Sequence, residues 1–176
     1  MNDQRSIQPE HRFETALIVI SDRAHSGQRE DLCEAAIRDF LATRGYLLGQ
    51  VTVVPDEVER IREALMRLAE TARPMLALTA GGTGVSPRDV TPEATRPLLE
   101  REIPGLPEAM RAASMKVTPY ASLSRGLAGY IGPMLVINLP GSPKAAVENL
   151  ASVFLAIEHA MAKSGGDMSD CQPPPS

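Results

Sequence analysis

Four residues with the composition of a phosphate-binding loop lie just after an apolar run at 75–79. They are Gly81-Gly82-Thr83-Gly84, called the glycine loop below. Glycines let the backbone turn sharply and present N–H groups to an anion, and the threonine adds a hydroxyl donor. The spacing is not the dinucleotide fingerprint, because Pro87 replaces its third glycine, and no Gly-Lys-Ser/Thr follows as in a P-loop. The loop therefore fits either a phosphate cradle or a plain tight turn.

Two aspartates are the candidates for catalysis and for metal binding. Asp89 follows the glycine loop beside Arg88, and Asp56 follows a second apolar run. An arginine pairs with phosphate, and a carboxylate holds a hard cation such as Mg²⁺. The alternatives are structural. Arg88 and Asp89 would form a surface ion pair or hold the loop backbone, and Asp56 would cap a helix in a capping box with Glu59.

A second turn repeats the order of strand, turn and helix start. Its residues are Pro140, Gly141 and Ser142, followed by Pro143. Ser142 at the N-cap and Pro143 at the first helical position explain two residues by capping alone. The functional interpretation adds an anion at the N-terminus of that helix.

Other polar residues are weaker candidates. Ser124 and Arg125 offer a hydroxyl and a cation to an anion, unless they are solvated surface residues. Ser21, Asp22 and His25 suggest a hydrolase triad, but their closeness in sequence argues against one, because a triad is assembled from separated segments. The sequence also lacks a G-x-S-x-G elbow, and no spacing of His, Cys and Asp indicates zinc.

The apolar pattern predicts the elements that hold these residues. Continuous β-branched runs predict strands buried on both faces, and apolar residues at three- and four-residue steps predict helices. Strands are expected at 15–20, 46–54, 75–79 and 134–138, a strand pair within 120–132, and helices starting near Glu30, Asp56, Thr91 (as N-cap), Leu106 and Ser142.

The alternation of strands and helices predicts an α/β fold. We expect a three-layer α/β/α arrangement, with a mainly parallel central sheet and helices on both faces. Ligands bind beyond the carboxyl ends of the strands in such sheets. The segments 21–27, 81–89 and 140–144 are therefore expected to meet at one crevice.

Length and composition narrow the class of protein. The 176 residues predict one domain over 15–163, with a flexible segment at 1–14 and a Pro-, Ser- and Gly-rich disordered tail at 164–176. A net charge of −4 argues against general nucleic-acid binding, and 3% aromatic residues without Trp argue against base stacking. Two cysteines, Cys33 and Cys171, make no disulfide framework, which favours the cytoplasm. No signal peptide is expected, and no apolar run approaches ~20 residues, so no membrane span is expected.

These motifs together resemble the molybdopterin adenylyltransferase family. That family includes bacterial enzymes of molybdenum cofactor synthesis and the G domains of plant and animal molybdenum-insertion proteins. The resemblance runs from about Thr15 to Met161. Its main segments are LTAGGTG at 78–84, RDVTPEA at 88–94 and LPGSPK at 139–144, supported by 19–23, 54–57, 104–111 and 123–125.

The resemblance implies a molybdopterin-binding-like fold and a nucleotidyltransferase reaction. In that reaction the terminal phosphate of molybdopterin attacks the α-phosphate of ATP, and pyrophosphate leaves. The family's catalytic and metal-binding aspartates fall on Asp56 and Asp89, with Mg²⁺ as the cofactor. The glycine loop would face nucleotide or pyrophosphate. The other binding candidates are Arg88, Ser124, Arg125, Pro140, Gly141 and Ser142.

The resemblance also implies partners and leaves alternatives open. It implies a homotrimer and a molybdenum-insertion protein as a possible partner. A non-catalytic pterin carrier would share the pocket, but both aspartates are retained. The length of the sequence argues against a scaffold domain, and the segments after the glycine loop argue against a nucleotide hydrolase of the competence-damage type. Asp31-Leu32-Cys33 departs from the Ser-Gly pair of many members, so contacts near residue 31 are not carried over.

Overall fold

The computed structural model describes residues 13–70 and 75–168. The strands are β1 (Glu14–Ile20), β2 (Leu48–Val54), β3 (Met75–Ala80), β4 (Arg101–Glu102), β5 (Ala128–Ile131) and β6 (Met134–Leu139). The helices are α1 (Asp22–His25), α2 (Cys33–Ala42), α3 (Val58–Ala69), α4 (Thr91–Thr95), α5 (Gly105–Met115) and α6 (Pro143–Ser164). Short 3-10 turns lie at Arg96–Leu98 and Pro119–Leu123.

A sheet of six strands forms the centre, in the order β2-β1-β3-β6-β5-β4. The first four strands in this order are parallel, and β5 and β4 extend the sheet antiparallel. Every residue of β3 and β6 is buried, as expected for strands covered on both faces. The predicted mainly parallel sheet is confirmed.

Successive residues of β1 point to opposite faces of the sheet and enter two separate apolar cores. Leu17 and Val19 pack in the core beneath α2, α5 and α6. Ala16, Ile18 and Ile20 pack in the core beneath α3 and α4. Because helices cover both faces, the predicted three-layer arrangement is confirmed.

Three predicted helix starts differ from the structure. Helix α2 begins at Cys33 instead of near Glu30, and the Asp31 carboxylate accepts the N–H groups of Cys33 and Glu34 there. Helix α3 begins at Val58 with Glu57, not Asp56, at its N-cap, and no side chain caps it. The capping-box interpretation of Asp56 is therefore wrong, because the Asp56 carboxylate bonds to another segment of the chain instead. Helix α4 begins at Thr91 itself, after Val90 at the N-cap.

The predicted strand pair within 120–132 is also replaced. A 3-10 turn occupies Pro119–Leu123, with Thr118 as its N-cap, and only β5 follows it. Strand β5 pairs with β6 on one side and with β4 on the other. Strand β4 has two residues, too few to show any periodicity in the sequence.

The predicted terminal segments are described only in part. Residues 1–12 and 169–176 lie outside the described residues. Phe13 stacks on Tyr46 with ring centroids 4.6 Å apart, and β1 begins at Glu14. Within 13–70 and 75–168, no helix combines the length and the apolar character that a membrane crossing requires.

Candidate active site

The segments that follow β1, β2, β3 and β6 meet at the carboxyl edge of the sheet. Ser21 donates its N–H to Val54 O at 3.0 Å, which joins the ends of β1 and β2. Gly81 donates its N–H to Leu139 O at 3.1 Å, which joins the ends of β3 and β6. Gly141 lies against Gly81, since a Cβ built on Gly141 would be 3.2 Å from the Gly81 Cα. The structure thus brings the predicted segments together at one edge.

Two positions of the glycine loop have no room for a side chain. Gly81 has φ 115°, and a Cβ there would lie 2.2 Å from Ile20 O. Gly82 has φ 61°, and its Cβ would lie 2.4 Å from Thr91 Oγ1 and 3.4 Å from Asp56 Oδ1. The backbone of the loop is therefore packed directly beside the Asp56 carboxylate.

Thr91 and backbone hydrogen bonds hold the glycine loop in place. Thr91 donates its hydroxyl to Gly81 O at 2.8 Å and its N–H to Gly82 O at 3.0 Å. Thr83 is 5% exposed, and its carbonyl accepts the N–H of Arg125 at 2.9 Å. The beginning of α4 thereby fixes the backbone of the glycine loop, for which the sequence left open a phosphate cradle or a plain tight turn.

Asp56 forms a reciprocal pair of contacts with Asp22, the first residue of α1. The N–H of Asp22 donates to Asp56 Oδ2 at 2.8 Å, and the N–H of Asp56 donates to Asp22 Oδ1 at 3.0 Å. Arg88 reaches the same Asp22 carboxylate, with Nε 3.1 Å from Oδ2 and Nη2 2.8 Å from both oxygens. Asp22 thus connects Asp56 with the segment that follows the glycine loop.

The pKa values of Asp56 and Asp22 are shifted in opposite directions. Burial raises the pKa of Asp56, and the negative charges of Asp22 and Asp89 act in the same direction. The hydrogen bond from Arg88 lowers the pKa of Asp22. Asp56 lies beside Gly82 and Asp89 lies beside Gly84, so the two predicted catalytic carboxylates border the same glycine loop.

Asp89 closes the turn after the glycine loop. Its Oδ2 accepts the N–H of Ser86 at 2.7 Å, and its own N–H donates to Ser86 O at 2.9 Å. A Cβ on Gly84 would lie 2.9 Å from Asp89 Oδ2, so the carboxylate lies close against the loop. The structural interpretation of Asp89, a bond to the loop backbone, therefore holds for one carboxylate oxygen.

Arg125 clamps the same segment through three contacts. Its Nε donates to Gly84 O at 2.7 Å, its Nη2 donates to Asp89 O, and its Nη1 pairs with the Glu93 carboxylate. The hydrogen bond from Arg125 lowers the pKa of Glu93. Arg88 and Arg125 are thus both engaged by protein acceptors, and their predicted contacts with a ligand stay predictions.

Two clefts flank the segment that contains the glycine loop. The small cleft, of about 230 Å³, is lined by Ser21, Cys33, Asp56, Gly81, Gly82 and Gly141, among others. The large cleft, of about 680 Å³, is lined by Glu93, Arg111, Ser124, Arg125 and Gly126, among others. The first two glycines of the loop therefore face the small cleft, and the arginine that clamps the loop faces the large one.

The remaining predicted residues lie beside these clefts. Gly141 lines the small cleft together with Pro143, and Pro140 and Ser142 are its neighbours in the chain. Ser142 occupies the N-cap of α6 as predicted, but its side chain makes no capping hydrogen bond. Capping by the hydroxyl therefore does not explain this serine.

Sequence reasoning missed Asp22, which was considered only as part of a triad. The missed signal is topological. Asp22 follows β1 at the same edge where Asp56 follows β2, and the argument applied to Asp56 also applies to Asp22. Cys33 was missed as well; its thiol lies 3.4 Å from Gly141 O, and burial raises its pKa to about 11.

The carboxylates fit a magnesium ion that arrives with phosphate ligands. Within the described ranges, no group of three or more His, Cys, Asp or Glu side chains is arranged to hold a metal alone. Mg²⁺ is typically bound by one or two carboxylates, with waters and substrate phosphates completing its octahedron. Asp56 and Asp89 have carboxylate oxygens of the type that such an ion takes, and they are the residues that would hold it.

An open, mostly parallel sheet with a glycine loop and carboxylates at its carboxyl edge is the arrangement of α/β proteins that bind phosphorylated ligands. The comparison with protein families gives a narrower result. The family described as a probable molybdopterin binding domain matches residues 16–159, so the chain belongs to that family. The resemblance found in the sequence is confirmed.

Relatives of known name agree with this assignment. The chain is 41% identical over 147 residues to the molybdopterin adenylyltransferase of Helicobacter pylori strain J99, a match covering 81% of this chain and 82% of that protein. It is 38% identical over 156 residues to the molybdenum cofactor synthesis protein cinnamon of Drosophila melanogaster, covering 87% of this chain. The chain spans only 26% of the length of cinnamon.

A solved structure shows the same fold. The molybdopterin biosynthesis enzyme MoaB of Thermus thermophilus is 44% identical and superposes with a TM-score of 0.82, covering 88% of this chain and 98% of that one. The relatives therefore support a role in molybdenum cofactor biosynthesis and a molybdopterin-type ligand.

Proposed function

We propose that this chain is a molybdopterin adenylyltransferase that transfers AMP from Mg-ATP to the terminal phosphate of molybdopterin and releases pyrophosphate. The phosphate oxygen of molybdopterin attacks the α-phosphorus of ATP, and the bond to the bridging oxygen of pyrophosphate breaks. The proposal rests on the family, on the name of the Helicobacter relative and on the charge distribution at the site.

The observation that carries the proposal is how the charged side chains pair beside the glycine loop. Arg88 pairs with Asp22, and Arg125 pairs with Glu93. Among the ion pairs of the described residues, none includes Asp56 or Asp89. Two carboxylates without a cationic partner would repel the negative charge of a polyphosphate. A divalent cation is therefore needed to bring the polyphosphate and the carboxylates together.

The residues at the site divide the work in a way that suits phosphoryl chemistry. Such reactions depend on positioning and on charge neutralisation more than on a nucleophilic side chain. Asp56 and Asp89 would hold Mg²⁺, which neutralises phosphate charge and polarises phosphoryl oxygens when bound. The glycine loop packs its backbone beside Asp56, since a Cβ on Gly82 would lie 3.4 Å from Asp56 Oδ1.

The two clefts suit the two substrates. The small cleft contains Asp56 and the first glycines, so we assign the phosphates of ATP to it. The large cleft is bordered by Arg111 and Ser124 and has the volume of an ordinary small-molecule site, so we assign the pterin to it. The segment from the glycine loop to Glu93 separates them, which would place the reacting phosphates over Asp89.

The test is an assay of adenylyl transfer with the full chain. Purified protein, molybdopterin and Mg-ATP are mixed, and adenylylated molybdopterin and pyrophosphate are measured against time, with a reaction lacking Mg²⁺ as control. Asp89→Ala and Asp56→Asn are each expected to lower kcat at least about 100-fold, as expected for loss of a charge-stabilising group. Both variants should stay folded, since Asp56→Asn keeps an amide oxygen that can accept the Asp22 N–H, and Asp89→Ala removes only an exposed bond to the Ser86 N–H.

Each other outcome has a definite meaning. Tight molybdopterin binding without product would indicate a carrier rather than an enzyme. Product formation by Asp89→Ala at the parent rate would overturn the role given to Asp89. An Asp56→Asn variant that loses only thermal stability would show that Asp56 is structural.

We further propose that the protein is a cytoplasmic homotrimer that passes its product to a molybdenum-insertion protein. These proposals follow from the family resemblance. Light scattering on the purified chain is expected to give three times the 18.9 kDa mass of one chain, and a mass of one or two chains would contradict the trimer.

A further inference from the structure

Asp22 connects three segments of the candidate active site through one carboxylate. It accepts a hydrogen bond from the N–H of Asp56, 34 positions away in the chain. It also accepts hydrogen bonds from Nε and Nη2 of Arg88, 66 positions away. Its own N–H donates to Asp56 Oδ2. The end of β1, the end of β2 and the segment after the glycine loop are therefore joined at one residue.

We propose that Asp22 is a positioning residue for adenylyl transfer, and this inference rests on the proposed function. Through its N–H it fixes Asp56 Oδ2, so that Oδ1 is the oxygen on the side of Gly82. Through Arg88 it holds the exposed residues 85–88, which include Ser86, whose N–H orients the Asp89 carboxylate by donating to Oδ2. Asp22 itself touches neither substrate in this scheme and acts on the two carboxylates that do.

The geometry of the Asp22–Arg88 pair is more constrained than an exposed ion pair requires. The Asp22 and Arg88 side chains are 45% and 57% exposed, and pairs at such sites usually contribute little to stability. Yet Arg88 approaches with two nitrogens, a bidentate arrangement that fixes orientation as well as distance. A contact that fixes orientation but adds little stability is suited to positioning a loop rather than to stabilising the fold.

The rest of the segment is held independently of Asp22. Arg125 donates to Gly84 O and Asp89 O, and Thr91 donates to Gly81 O. Loss of the Asp22–Arg88 pair should therefore leave the glycine loop folded and free only the exposed residues 85–88. Because a small misplacement of a reacting group costs rate rather than stability, the expected effect is on kcat.

The experiment compares Asp22→Asn, Arg88→Gln and the double variant with the parent chain. The asparagine side chain keeps an oxygen that accepts the N–H of Asp56 but loses the charge and the second acceptor for Arg88. The matched control is Glu34→Gln, which removes a pair with Arg38 of the same 2.8 Å length and of 45% and 41% exposure, on the outer face of α2.

Both single variants are expected to lower kcat about 10- to 100-fold while the KM for molybdopterin changes less than about twofold, as expected when positioning rather than binding is lost. The double variant is expected to be no slower than the worse single variant, because both act through one contact. Glu34→Gln should match the parent in rate, and all four variants should melt only slightly below the parent at neutral pH, because exposed ion pairs contribute little stability. Parent-like kcat in Asp22→Asn, or multiplied losses in the double variant, would overturn the inference.

Hydrogen exchange separates this inference from the proposed function. In the substrate-free protein, Asp22→Asn and Arg88→Gln are expected to speed amide exchange in peptides covering 85–90, and Glu34→Gln is not. Faster exchange combined with an inactive parent chain would refute the proposed reaction and leave the Asp22 contact established. Unchanged exchange in an active parent would refute the positioning role alone.

Discussion

The substitution Gly82→Ala tests whether close contact with neighbouring atoms makes glycine necessary at this position of the glycine loop. Gly82 has φ 61°, a conformation that costs a non-glycine residue roughly 1–2 kcal/mol. The new methyl group would also lie 2.4 Å from Thr91 Oγ1, which is itself bonded to Gly81 O. Overpacking of this kind costs roughly 1–3 kcal/mol. We expect a total loss of about 2–5 kcal/mol in the free energy of unfolding.

Gly132→Ala is the matched control. Gly132 has φ 55°, and a Cβ there would meet nothing within 4 Å. The control therefore carries the cost of the backbone conformation without the steric contact, together with the same gain from a stiffer unfolded chain. Urea unfolding followed by circular dichroism gives both free energies, and the difference between the variants is expected to be about 1–3 kcal/mol.

A second substitution identifies the contacting atom. Thr91→Ala removes Oγ1 and costs about 1 kcal/mol for the lost hydrogen bond to Gly81 O. In the Gly82→Ala background, Thr91→Ala should lower the free energy of unfolding by less than this, because it also removes the oxygen that the new methyl group contacts. The reasoning is refuted if Gly82→Ala and Gly132→Ala are equally stable, or if the losses from Gly82→Ala and Thr91→Ala simply add.

Two further predictions concern polar contacts elsewhere at the sheet edge. Asn138 is 1% exposed and bonds Thr79, Thr95 and the N–H of Leu127. Asn138→Ala is expected to destabilise the protein by about 2–4 kcal/mol in urea unfolding, because buried groups lose their partners, and a loss under about 0.5 kcal/mol would contradict this. Arg88 lowers the pKa of Asp22, so their pair stabilises the fold above the ordinary pKa of aspartate and ceases to do so as the pH falls through the lowered value. Thermal unfolding from pH 7 to pH 3 should therefore show the stability difference between parent and Asp22→Asn shrinking below about pH 4, and a constant difference would disprove the linkage.

The central part of the fold could be predicted from the sequence because its strands are buried on both faces. Strands β3 and β6 are buried along their whole length, and a nearly continuous apolar run indicates such a strand without knowledge of its neighbours. Strand β4 could not be predicted, because two residues carry no period. The helix start at Asp56 was predicted wrongly, since Asp-x-x-Glu satisfies a local capping rule while the partner of Asp56 lies at Asp22, on another strand end.

The same limit applies to the charged residues of the site. The sequence does not indicate how four charged residues pair, because the paired residues are 66 and 32 positions apart in the chain. These residues are Asp22, Arg88, Glu93 and Arg125. Once the fold pairs them, the two arginines become supports for the loop. Of the two catalytic candidates, Asp56 and Asp89, neither takes part in an ion pair within the described part of the chain. The chemistry of the site is therefore decided by which charges the fold neutralises, and a list of motif residues does not contain that information.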